Sequence, residues 1–76
     1  MNVEPDLNTL MAEVIELARE ARRLARQGRN EVAVASADHF EQGAATAYRN
    51  QDRRVLGDNL AAARLLAEEL RARARG

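Results

Sequence analysis

A single histidine, His39, is the first group in this 76-residue chain able to act as nucleophile, proton carrier or ligand near neutral pH. Its helical neighbours do not complete a metal site. Four positions away stand Ala35 and Gly43, and three positions away Ser36 and Gln42, whereas metal centres on helix bundles need Glu or His at those spacings on facing helices. Ser36 and His39 are one turn apart, a spacing suited to a nucleophile and its base. No third group orients the imidazole, however, and no glycine-rich turn offers an oxyanion hole. Glu13, Glu16 and Glu20 share one side of a helix among arginines and read as a solvated charged face rather than a carboxylate metal site. Phosphate-cradling loops of the Walker or dinucleotide kind are absent, and so is cysteine, which excludes disulfides and thiolate sites. The expectation is a non-enzymatic protein with no cofactor, no metal and no small-molecule substrate in evidence.

The elements that carry these residues are helical. Leu10, Leu17 and Leu24 recur one heptad apart, with Val14 and Ala21 between them and Leu7, Met11, Ala18 and Ala25 alongside. That pattern predicts a helix over about residues 6–27 whose apolar face is wider than a two-stranded seam needs. Asp6 is a plausible N-cap, with Asn8 and Thr9 competing, and Gly28 is the expected C′ stop. After Gln27-Gly28-Arg29-Asn30, with Asn30 as cap, a second helix is expected over about 31–49. It puts Ala33, Ala37, Phe40, Ala44 and Ala47 on one stripe, with Ser36 and Gly43 beside it. Mid-helix Gly43 costs roughly 1 kcal/mol against Ala, which close approach by a neighbouring helix would offset. A third helix over about 53–74, capped by Asp52, carries Leu56, Leu60, Ala63, Ala67, Leu70 and Ala74, widened by Val55 and Leu66. Glu69 and Arg73 form an i,i+4 pair on its outer surface. Short connections make the neighbours antiparallel. The expected architecture is one all-α domain over residues 1–76, an antiparallel three-helix bundle completed by dimerisation or a partner.

Composition sharpens that last clause. Sixteen of the thirty-five apolar residues are Ala, and Phe40 and Tyr48 are the only aromatics. Alanine favours helix strongly but buries little surface, so the chain sits near the lower size limit for a core without staples. Twelve acids balance twelve bases, every base being Arg, and this neutrality argues against a dedicated nucleic-acid binder. Arg64, Arg71, Arg73 and Arg75 are interleaved with Glu68 and Glu69 and have no aromatic beside them for base stacking. They read as a solvated face suited to a helix C-terminus. No run approaches the roughly twenty apolar residues of a membrane span and no signal-peptide pattern opens the chain, so the expected placement is the cytoplasm, away from membranes.

Two stretches resemble known families. His39-Phe40-Glu41-Gln42-Gly43-Ala44-Ala45 resembles the phosphorylatable helix of histidine phosphotransfer domains, where Gly follows the histidine at the fourth position and small residues come next. The resemblance implies His39 as phosphoacceptor and Gly43 as the residue that clears space for a response regulator. The family usually has an apolar residue two after the histidine and Lys three after it, where this chain has Glu41 and Gln42. That removes a cation that would help hold a phosphoryl group. The expected buried stripe also runs through Phe40 rather than position 41, a rotation of about 100°. Separately, Phe40, Ala44 and Ala47 followed by Leu56, Leu60 and Ala63 is similar to the paired helices of a tetratricopeptide hairpin, which implies a helical interaction surface.

Two residues fit a self-contained monomer poorly. Leu65 lies nearly opposite the apolar centre of the third helix, and Asn59 lies inside its apolar arc, either fixing register or sitting wet at the edge. The functional expectation is an adaptor, co-chaperone or inhibitor that binds a protein or a second copy of itself. Leu7, Leu10, Met11, Leu17, Leu24 and Leu65 are the candidate interface residues. The alternatives are phosphotransfer through His39 and a small phage-type inhibitor of a host complex.

Overall fold

Three alanine-rich periodic runs become α1 (Leu7–Gln27), α2 (Glu31–Arg49) and α3 (Arg53–Arg75) in a computed structural model that describes residues 4–76. The first three positions of the domain expected over 1–76 lie outside the described residues. Asp6 is the cap that opens α1: its side chain accepts a hydrogen bond from the Thr9 backbone N–H at 2.8 Å. That bond also holds the Asp6 carboxyl below its ordinary pKa.

The two connections share one wiring. At the end of α1 the Arg29 N–H donates to the Arg26 carbonyl (3.1 Å) and the Asn30 N–H to the Ala25 carbonyl (2.8 Å). At the end of α2 the Gln51 N–H donates to the Tyr48 carbonyl (3.1 Å) and the Asp52 N–H to the Ala47 carbonyl (2.8 Å). Both are Schellman closures. The residue that ends each closure also caps the next helix, since Asn30 accepts from the Ala33 N–H (3.0 Å) and Asp52 from the Val55 N–H (3.1 Å). This double use is why three residues suffice to reverse the chain.

One expectation fails here. Gly28 is not the left-handed residue; it sits at φ −89°, and Arg29 takes φ 54°. Gln51 does the same at φ 55°. The closure is counted back from the helix end, so it places the left-handed position one residue beyond Gly28, whatever side chain stands there. A left-handed non-glycine residue carries roughly 1 kcal/mol of strain, partly offset in glycine by its larger entropy loss. Replacing Gln51 by Gly should therefore raise the thermal midpoint by a few degrees, as a gain of about 0.5–1 kcal/mol in a domain this size would. An unchanged or lowered midpoint would show that the turn is not strained.

Each of the three helices packs on the other two. The buried line of α1 is Val14, Ala18, Ala21 and Ala25, facing Ala33, Ala37, Ala44 and Ala47 of α2 and Leu56, Leu60, Ala63, Ala67 and Leu70 of α3. The core divides into two clusters. Val14, Ala44, Ala47, Leu56 and Leu60 form one, flanked by Leu7, Leu10, Met11 and Leu17. Ala21, Ala25, Ala33, Ala37 and Leu70 form the other, flanked by Leu24, Val34 and Leu66. Among the expected stripe residues, Ala74 and Val55 are exposed and Phe40 is only half-buried.

Charged residues lace the edges between helices. Arg64 reaches Glu13 at 3.0 Å, and Arg71 forms a two-pronged pair with Glu20, its second nitrogen 2.6 Å from the carboxylate. Across the other seam Arg22 bridges Asp38 (3.1 Å) and Glu41 (2.7 Å) of α2. Glu13 and Glu20 of α1 and Arg64 and Arg71 of α3 are therefore not merely solvated, while Glu16, Arg73 and Arg75 are exposed. Glu13 pairs with Arg64 and Glu20 with Arg71 at the same sequence offset, which fixes the parallel register of α1 against α3. Arg71 beside it holds the Glu20 carboxyl below its ordinary pKa, chiefly through the hydrogen bond. The outer Glu69–Arg73 pair forms as expected, at 3.7 Å.

Candidate interaction surface

His39 is exposed on α2, its ring edge-on to Phe40 with centroids 5.9 Å apart. Among the described residues no group of three or more His, Asp or Glu is placed to hold a metal ion. Ser36 is half-buried one turn before His39 and lines the groove between α2 and α3.

Gly43 makes room for something inside the chain. A Cβ there would lie 2.7 Å from Asn59 Oδ1 and 3.1 Å from its Cγ and Nδ2, so the missing side chain leaves space that Asn59 of α3 fills. Asn59 in turn donates from Nδ2 to the Val55 carbonyl at 3.0 Å. Close approach of a neighbouring helix is thus the reason a glycine stands mid-helix, and the polar residue in the apolar arc of α3 is what approaches. The clearance faces α3.

The six residues singled out as an interface separate into two groups. Leu7, Leu10, Met11, Leu17 and Leu24 are half-buried and flank the two core clusters. Coverage of the wide α1 face from two sides comes from α2 and α3 together. Leu65 is different: it is 67% exposed. It borders a hollow of about 280 Å³ lined also by Ser36, Phe40, Ala62, Leu66 and Glu69. Val32, 77% exposed, stands farther along the same groove, beside Ser36 and Leu66. The structure therefore gathers Leu65, Val32, half-buried Phe40 and half-buried Leu66 on one α2–α3 face, with His39 next to Phe40.

Val32 and Phe40 are not among the six candidate interface residues that the sequence offers. In the sequence Val32 stands one residue off the alanine stripe of α2. Phe40 belonged to that stripe by spacing, and only the packing shows that its ring is left half-covered between helices.

A second, polar notch lies at the opposite end, where Asp6, Asn8, Tyr48, Arg49, Gln51 and Arg53 meet. The Tyr48 hydroxyl donates to Asn8, and Arg53 donates to the Pro5 carbonyl at 2.6 Å. These bonds tie the start of α1 to the α2–α3 turn, so the notch is accounted for by internal pairing. No described helix is long and apolar enough to cross a membrane. No family model matches the chain, and neither a curated protein nor a solved structure matches it.

Proposed function

We propose that this chain is a small, non-enzymatic helical interaction module of adaptor, co-chaperone or inhibitor type, which docks a protein on its α2–α3 face. The observation that carries the reading is that exposed Leu65, beside half-buried Phe40, and exposed Val32 line two adjoining hollows of the α2–α3 face that share Ser36, Leu66 and Glu69. Scattered single apolar residues are ordinary on a surface, whereas several gathered on one groove mark a contact site. The five α1 leucine and methionine positions retain partial exposure, but Leu65 is the residue to test first. Phosphotransfer rests on exposed His39 alone, since neighbouring Glu41 and Gln42 supply no cation for a phosphoryl group.

A photo-activatable residue placed at position 65 and, as a control, at exposed Arg23 of α1 gives the test in the source cell. The expected result is a defined protein adduct from position 65 that position 23 does not give. The adduct's protein, once purified, should bind the unmodified chain and lose that binding to Leu65→Glu. Equal labelling from both positions, or none from position 65, would remove the α2–α3 face from consideration.

A further inference from the structure

The α3 surface turned away from the core carries a heptad of its own. Val55, Asp58, Ala62, Leu65, Glu69 and Ala72 follow at alternating steps of three and four, and none of them is buried. That spacing keeps one stripe facing one way along a helix. Leu65 is at its middle. Asp58 lies about two turns to one side and Arg73 about two turns to the other, at 3.6 residues per turn.

We infer that this stripe pairs with the same stripe of a second copy, antiparallel, so that Asp58 of each chain faces the partner's Arg73. The inference rests on the docking face proposed above and names its occupant. The charges choose the arrangement. Parallel pairing would set Asp58, Glu69 and Arg73 each against its own counterpart, three repulsive contacts along one seam. Antiparallel pairing about a point between Leu65 and Leu66 brings Leu65 over the partner's Leu66, next to the hollow lined by Phe40, and forms the Asp58–Arg73 pair twice. Glu69 then meets the partner's Ala62, which leaves its carboxylate free to reach water. Sliding one turn sets Asp58 against the partner's Glu69. Sliding one turn the other way sets Glu69 against the partner's Leu66. Only the central register is free of a charge conflict or a carboxylate on leucine.

Among the described residues nothing competes strongly for these groups. Arg73 is 3.7 Å from Glu69 in an exposed pair, which contributes little and can be shared. The span also suffices. At 1.5 Å per residue α3 is about 34 Å long, and a standard interface covers about 800 Å² per partner, about one seventh of the 5376 Å² surface. Because the apolar centre is small, the charges set orientation more than affinity, and the dimer is a weak one.

Sedimentation equilibrium from about 1 μM to 1 mM, a range that brackets weak association, tests this. The wild-type chain should pass from monomer to dimer. Asp58→Arg and Arg73→Asp should each weaken dimerisation about tenfold or more by placing like charges together twice. A one-to-one mixture of these two variants should recover it, because both facing pairs then carry opposite charge. Leu65→Glu should abolish it. All three positions are exposed, so helical circular dichroism should be unchanged throughout. A wild-type chain that stays monomeric to 1 mM, or a mixture no better than either variant alone, overturns the inference. A monomer that still gives an adduct with a different protein from position 65 overturns the self-pairing alone and leaves the docking face standing.

Discussion

Leu56→Ala should remove roughly 3 kcal/mol of stability, a large fraction of what the domain has. At 0.05–0.15 kcal/mol per residue, a chain of this length is stable by only about 4–11 kcal/mol. Leu56 is fully buried and, with Val14, is the largest side chain that is. Around it stand Val14, Ala44, Ala47 and Leu60. Two of those neighbours are alanines on a rigid helix, so they cannot swing in to fill the gap. Leucine-to-alanine changes at such sites cost about 2–5 kcal/mol, the upper part of the range applying where the cavity does not collapse. Urea unfolding followed by circular dichroism measures it. A loss below about 1 kcal/mol would mean that the core is not organised around Leu56.

The opposite change should also destabilise, for the complementary reason. Ala37 is fully buried in the cluster made by Ala21, Ala25, Ala33 and Leu70. Four of those five cluster members are alanine, which lets the backbones of α1 and α2 lie close together. A leucine at position 37 has no empty volume to enter and must push the helices apart or leave its rotamer, at about 1–3 kcal/mol or more. Separation at that point would also strain the Arg22 bridge to Asp38 and Glu41 across the same seam. Ala35→Leu, on the exposed side of the same helix, is the control and should change the urea midpoint little. A midpoint raised by Ala37→Leu would show that the alanine seam is loosely filled rather than tight.

These expectations depend on which face of each helix is central, and that was only partly legible beforehand. The stripes of α2 and α3 were read nearly as they stand, because alanine and leucine at three-and-four spacing leave one choice of buried side. The α1 stripe misled. Leu10, Leu17 and Leu24 keep a strict seven-residue repeat, which drifts by about 20° per heptad around a straight helix. All three stay half-buried at the border of the face, and Leu24 meets Leu70, Arg73 and Ala74 of α3 at a shared notch. Val14, Ala18, Ala21 and Ala25 hold the centre because small side chains allow two helices to approach one surface at once. Within the chain, two neighbours that come close, α2 and α3, flank that wide apolar face, and its outer leucines stay half-buried.

The charge pattern shows the same division. That α1 carries acids and α3 arginines is plain in the residues, and each series suits its own helix. Nothing in either helix says that Glu13 belongs with Arg64 or Glu20 with Arg71, because that pairing exists only once α1 and α3 lie parallel at a fixed offset. Asn59 was legible as an anomaly and Gly43 as a notch, but not as partners.

By itself, the sequence determined three helices, the two short turns with Asn30 and Asp52 as the caps that follow them, and the predominance of alanine in the core. All of these follow from interactions within a few residues: helix propensity, side-chain bonds to the first free N–H groups, and the period of the apolar positions. Only the tertiary structure decided which leucines are shared among helices and which one is left outside. Burial depends on the rotation of each helix against two others, and that rotation is set by volumes meeting across the bundle. The same packing half-covers Phe40, fills the gap at Gly43 with Asn59, and leaves Leu65 and Val32 together on the α2–α3 face.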